Sequence, residues 1–196
     1  KKALAYNGIK DKQSFIRINI NYSSAEVGLD NFVEAIKKIR LAEKQAKKSD
    51  PNFLPSIYVQ YSFIYYHFEK HKKSLEYALL ADSEIKKFPN YGRGTQEKIY
   101  WYLGLNYKEL EEYEKAIHYF EMLRGSHHLD PSELQSHLID IYKELGDFEQ
   151  AFLLQEELIA GKDSSDFLAR NQQLLDVVEK YESEKKSEKS HFSPIR

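Results

Sequence analysis

The sequence predicts an all-α protein, an α-α solenoid in which about four helical hairpins coil as a superhelix under a C-terminal capping helix. Three observations predict it. In the stretch from Tyr100 to Phe120, the residues Tyr100, Leu103, Gly104 and Tyr107 share one helix face, and after a short polar turn Ala116 and Phe120 share the next. Gly104 and Ala116 are small where two backbones must approach, so large neighbours interlock around them. The second observation is recurrence. Ala35, Ser74, Ala116 and Ala151 fall in one register at separations of 39, 42 and 35 residues, and Ser62 occupies the place of Gly104. The third is composition, since 41% hydrophobic and 14% aromatic residues in 196 are too many packing groups for a chain that stays unfolded.

Residues 1–10 read as the end of a helix, with Ala3, Leu4 and Tyr6 apolar before the Asn7-Gly8 stop. From Ser14 to Val27 the apolar positions Phe15, Ile16, Ile18, Ile20 and Tyr22 partly alternate, which also fits a strand. Helix is expected there because Leu29, Phe32, Ala35, Ile36, Ile39 and Ala42 follow at helical spacing, with Asp30 as their cap. Ser49-Asp50-Pro51 ends that helix. The next runs from Pro55 to Glu69, with Tyr58, Tyr61, Ser62 and Tyr65 matching the defining pattern, and its partner from Lys72 to Phe88, with Ser74, Ala78 and Ala81. Asn90-Tyr91-Gly92-Arg93-Gly94 breaks the chain before the defining hairpin. Gly125 stops that hairpin and Asp130-Pro131-Ser132-Glu133 starts another, whose Leu138, Ile141, Tyr142 and Leu145 repeat the first-helix pattern before the Gly146-Asp147-Phe148 turn. A final helix opens at Gly161, and its Leu168, Leu174, Leu175, Val178 and Tyr181 form the cap a solenoid end requires. Residues 1–182 are thus expected as one repeat domain, and 183–196 as a polar tail, an extended helix or disordered.

The Leu-Gly-x-x-Tyr of Leu103, Gly104 and Tyr107 with the Ala-x-x-x-Phe of Ala116 and Phe120 resembles the tetratricopeptide repeat (TPR), whose signature is W-x2-L-G-x2-Y followed by A-x3-F; Tyr100 stands for the leading Trp. The separations of 39, 42 and 35 exceed the repeat's usual period of about 34, so longer helices or loops are expected. A second resemblance lies in Lys162-Asp163-Ser164 and Lys180-Tyr181-Glu182-Ser183-Glu184-Lys185-Lys186, which are similar to the array end of bacterial sensor proteins that continue into a histidine-kinase or helix-turn-helix output module. That resemblance implies a sensor or interaction part of a signal-transduction, two-component or transcription-regulatory protein, periplasmic if a sensor ectodomain and otherwise cytoplasmic. The start at Lys1 and the polar end suggest a piece of something longer.

Composition excludes several classes of chemistry. There is no cysteine, so disulfides, thiolate metal sites and cysteine nucleophiles are ruled out. A formal net charge of -2 offers no field for nucleic acid, and no apolar run reaches the length of a membrane span. His67 and His71 are four apart without the H-E-x-x-H order, and His127-His128 with Asp130 lacks a third ligand, so no metal is expected. Gly92-Arg93-Gly94-Thr95 reads as a loop rather than a phosphate cradle, and no G-x-S-x-G elbow is present. The chain is therefore expected to use no cofactor and to be no enzyme.

What remains is recognition of a peptide or protein segment along the first helices of the hairpins. The register set by Gly104 puts Phe63, Tyr66 and His67 on that groove in one hairpin, Lys98, Trp101, Leu105 and Lys108 in the next, and Ser136, Asp140 and Lys143 in the last. Aromatics flanked by lysines suit an acidic or mixed peptide, with Trp101 as the main anchor unless it packs on a neighbouring repeat. The alternative is a structural scaffold that self-associates, as a homodimer for instance, through the seam of Leu168, Leu174, Leu175 and Val178 on the final helix.

Overall fold

A computed structural model describes residues 12–88, 92–126 and 129–160. Every element among them is helical, and they pair as four hairpins: α1 (Lys12–Gly28) with α2 (Phe32–Ser49), α3 (Leu54–His67) with α4 (His71–Ile85), α5 (Arg93–Glu109) with α6 (Tyr113–Glu121), and α7 (Pro131–Glu144) with α8 (Phe148–Ala160). A short 3-10 turn, Pro51–Phe53, leads from α2 into α3. The fold is all-α and TPR-like. The chain divides into two compact units, Lys1–His128 and Leu129–Arg196, the first holding α1 to α6 and the second α7 and α8.

One turn joins the helices of all four hairpins. Asp30, Glu69, Glu111 and Gly146 occupy the same register position, and all have positive φ, at 53°, 56°, 60° and 72°. In each case the next amide reaches back five residues to a carbonyl: Asn31 to Glu26, Lys70 to Tyr65, Glu112 to Tyr107 and Asp147 to Tyr142, at 2.8–2.9 Å. That is the six-to-one bond of a Schellman motif, which satisfies the carbonyls left open at a helix end. The carbonyls of Asn31, Lys70, Glu112 and Asp147 then accept from Ala35, Ser74, Ala116 and Ala151, so the small residue of each register sits at the same place in every second helix. All four are fully buried.

The core of the first unit is built on this register, with Ile16, Ile39, Ile57, Ile64, Ile99 and Leu103 fully buried beside the small residues. In the third hairpin a Cβ added at Gly104 would stand 2.6 Å from the Phe120 ring, so the glycine makes room for that side chain. In the second hairpin Ser62 and Ala78 hold these two positions. Ser62 Oγ lies 2.9 Å from Ser74 Oγ, and Ser74 donates to the Ser62 carbonyl at 2.8 Å, so Ser62 is the donor between the hydroxyls and both are satisfied in a buried site. Tyrosines fill the outer layer by the same repeat. Tyr77 stacks on Tyr61 at 4.5 Å and on Tyr65 at 5.4 Å, and its counterpart Tyr119 stacks on Tyr107 at 5.7 Å. In the first hairpin Lys38 takes the equivalent place, 5.5 Å over the Tyr22 ring. In the second unit, where α7 lies against α8, Leu134, Leu138, Ile139 and Ile141 of α7 and Ala151 and Leu154 of α8 are buried.

The expected helix through Ser14 to Val27 is present as α1, and its buried residues Ile16, Asn19, Ser23 and Val27 follow a helical period that the alternating aliphatics obscure. Asn19 and Ser23 satisfy themselves on the carbonyls of Phe15 and Ile20. Four local expectations are corrected. Asp30 does not cap α2: it is the left-handed residue of the turn, and Asn31 is the cap, accepting from the Glu34 amide at 3.4 Å. Leu29 lies in that turn, 75% exposed. Arg93-Gly94-Thr95 is the first turn of α5 rather than loop, and Leu145 is the exposed C-cap of α7. Asp130 does cap α7, its Oδ1 accepting from the Ser132 amide at 2.9 Å. The helix end expected in residues 1–10, the capping helix with Leu168 to Tyr181, the tail 183–196 and the His127-His128 pair lie outside the described residues.

Candidate functional site

In the first unit the first helices α1, α3 and α5 lie side by side, so residues on α3 and α5 that point away from the second helices form one surface. Phe63 and Tyr66 meet there, joined by Tyr102 of the next hairpin. The Tyr102 ring is 6.3 Å from Phe63 and 6.2 Å from Tyr66, tilted by 56° and 61°. All three are half-buried, which leaves an aromatic patch open to solvent across two hairpins. His67 extends it: its ring is 6.4 Å from Phe63, and its Nε2 lies 3.1 Å from Asp30 Oδ1 in the first hairpin's turn.

The Tyr66 hydroxyl donates to Glu109 Oε1 at 3.4 Å, bridging α3 to the end of α5. Burial, reinforced by the nearby Glu109 carboxylate, pushes the Tyr66 phenol up to about 12, so it stays a neutral donor at any physiological pH. The His71 ring stands edge-on to Tyr66 at 5.3 Å, and its buried Nδ1 has no hydrogen-bond partner among the described residues. Farther toward α1, Gln60 of α3 donates to Ser24 at 2.8 Å, so this edge of the surface is polar.

Two of the expected groove residues are placed elsewhere. Trp101 is only 9% exposed and packs edge-to-face on Phe120 of α6 at 5.6 Å, and Leu105 is 5% exposed. The Phe120 ring fills the space that Gly104 leaves, and the Trp101 ring lies edge-on against it instead of facing the groove. Lys98 is exposed and Lys108 half-buried on α5. Ser136, Asp140 and Lys143 are exposed on α7 in the second unit, where Ser136 Oγ donates to the Ser132 carbonyl at 2.9 Å. Tyr102 was missed because the motif assigns its position to neither the core nor the groove. Its signal was equivalence with Gln60, forty-two residues earlier, on the face that meets the adjoining hairpin.

The surface carries hydrogen-bond donors and acceptors at its rim and rings at its centre. No group of three or more metal-ligating side chains occurs among the described residues, and none of their helices is long and apolar enough to cross a membrane.

No protein-family model matches the chain, and no curated sequence does. Among solved structures it is similar to BtubC (BKLC) from P. vanneervenii, with a TM-score of 0.64 at 17% identity over 76% of this chain. The match spans 64% of the length of BtubC. It also matches PilF of Pseudomonas aeruginosa at a TM-score of 0.49 and 15% identity, over 87% of each chain. At such identities the likeness to BtubC is one of fold.

Proposed function

We propose that this chain is a non-catalytic interaction module that holds a peptide or protein segment against the α3/α5 face. In this reading it is the sensor or interaction part of a bacterial signal-transduction or transcription-regulatory protein. The observation that carries the first part is the patch of Phe63, Tyr66 and Tyr102, which exists only because two hairpins are stacked. Half-buried rings offer anchoring area at little entropic cost, and a polar rim of Glu109, His67 and Lys98 supplies direction. A segment with one aromatic or aliphatic anchor flanked by charges of both signs fits such a face. The signalling role is supported by the resemblance of Lys162-Asp163-Ser164 and Lys180 to Lys186 to sensor array ends.

Selection of phage-displayed random peptides on the protein tests the binding role. Peptides enriched on the wild type should lose at least tenfold in affinity on the double variant Phe63→Ala, Tyr102→Ala, while Ser83→Ala, at an exposed position on α4, binds normally. Failure to enrich any peptide, or equal affinity for the double variant, would overturn the assignment of this face.

A further inference from the structure

The second helices of the first and last hairpins expose stripes of opposite charge, each built around an aliphatic side chain. On α2 an open depression is lined by Val33, Ile36, Lys37, Arg40, Leu41 and Lys44 among others. Val33 is 72% exposed and Leu41 41%. Lys37 is tied to Glu34 at 2.8 Å, but Arg40 and Lys44 have no ion-pair partner among the described residues. The outward stripe is thus cationic with an aliphatic centre, and two of its charges are uncompensated.

On α8 the exposed residues Glu149, Leu153, Glu156 and Glu157 form the counterpart, with Leu153 47% exposed and no lysine or arginine anywhere in the helix. Charge, leucine and charge fall at the same spacing on both helices: Lys37, Leu41 and Lys44 on one, Glu149, Leu153 and Glu156 on the other. Either running direction therefore sets leucine on leucine and carboxylates on cations.

We propose that α8 of one molecule docks in the α2 depression of a second copy, Leu153 against Val33 and Leu41, with the glutamates facing Lys37, Arg40 and Lys44. The two faces differ, so the contact is heterologous. A pair leaves the α2 face of one molecule and the α8 face of the other unused, so association continues head to tail. One helix laid on another buries less than the area of a stable standard interface, so the contact is weak and shows at high concentration. Exposed charges also make it sensitive to salt.

Sedimentation velocity on the full chain, from micromolar to millimolar, tests the idea by charge exchange. Wild type should show a weight-average sedimentation coefficient that rises with concentration and falls back in high salt. The variant Arg40→Glu, Lys44→Glu and the variant Glu156→Lys, Glu157→Lys should each associate at least tenfold more weakly, and an equimolar mixture of the two should regain association. Leu153→Asp should abolish it with all charges on α2 intact. Circular dichroism guards against misfolding, and all five positions are exposed. Wild type that stays monomeric, single variants that associate normally, or a mixture that stays dispersed would each overturn the proposal. So would flotation of the monomer with phosphatidylserine vesicles that depends on Arg40 and Lys44, which would give the cationic stripe to a membrane.

Discussion

At residue scale the second and third hairpins solve one packing problem in two ways. Gly104 with Phe120 and Ser62 with Ala78 are a small-large and a small-small pair at the same positions, the serine spending its hydroxyl on Ser74. Gly104→Ala should therefore destabilise by about 1–2 kcal/mol despite the better helix former, because the Phe120 ring is buried and has little room to yield. Phe120→Ala should cost about 3–5 kcal/mol through its cavity. Combined, Gly104→Ala and Phe120→Ala should cost less than their sum by roughly 1 kcal/mol or more, read by urea denaturation; strict additivity would show that the two side chains do not compete for one space. Ser74→Ala removes the acceptor of a buried hydroxyl and should cost about 1–3 kcal/mol. The small residues were legible in the sequence because only a close backbone approach explains their recurrence. Trp101 was not, since its burial depends on how deep Phe120 sits, a distance that no spacing encodes.

At the scale of elements, the repeated turn is the most regular feature of the chain and the least visible in its letters. Glycine marks it only at Gly146, while Asp30, Glu69 and Glu111 adopt the left-handed region with side chains that disfavour it. The turn was hidden because the back-reaching hydrogen bonds, rather than residue preference, hold it in three hairpins of four. Glu69→Gly and Glu111→Gly should each stabilise by about 0.5–1 kcal/mol, since the relieved strain exceeds the glycine's added freedom in the unfolded chain. Gly146→Glu should cost about 1 kcal/mol on the same scale. Thermal melts of the three variants check both signs at once, and a loss of stability in Glu111→Gly would show the glutamate backbone to be unstrained. The helix over Ser14 to Val27 illustrates the opposite case. Its aliphatics mimic a strand, and only the register of the hairpin around it, with Ser23 at the place of Ser62, identifies it as a first helix.

For the whole molecule, the fold class was readable because each hairpin repeats the same few small and large residues, whereas the face that offers a site was only half readable. Phe63 and Tyr66 follow from the register; Tyr102 joins them only through the stacking of one hairpin on the next. The tyrosine layer also sets how global stability responds to base. Burial, then a carboxylate neighbour, holds Tyr66 up to about 12 and raises Tyr61, which donates to Glu43 at 2.8 Å, well above its ordinary value of 10. Folded pKa values above the unfolded ones mean stability fully present below pH 10 and lost as pH rises toward and past 12. Melting temperature should be level through neutral pH and fall above pH 10, and Tyr66→Phe should soften that fall; a melt unchanged to pH 12 would contradict the buried phenols. The indole wedged beside Phe120 has a separate use: as the sole one in the sequence, it gives the third hairpin a private optical signal. Its emission should shift to longer wavelength only when α5 and α6 part, while far-ultraviolet ellipticity averages over every helix. The gap between the two denaturation curves would then measure whether such an array melts as one body or sheds its pieces in turn.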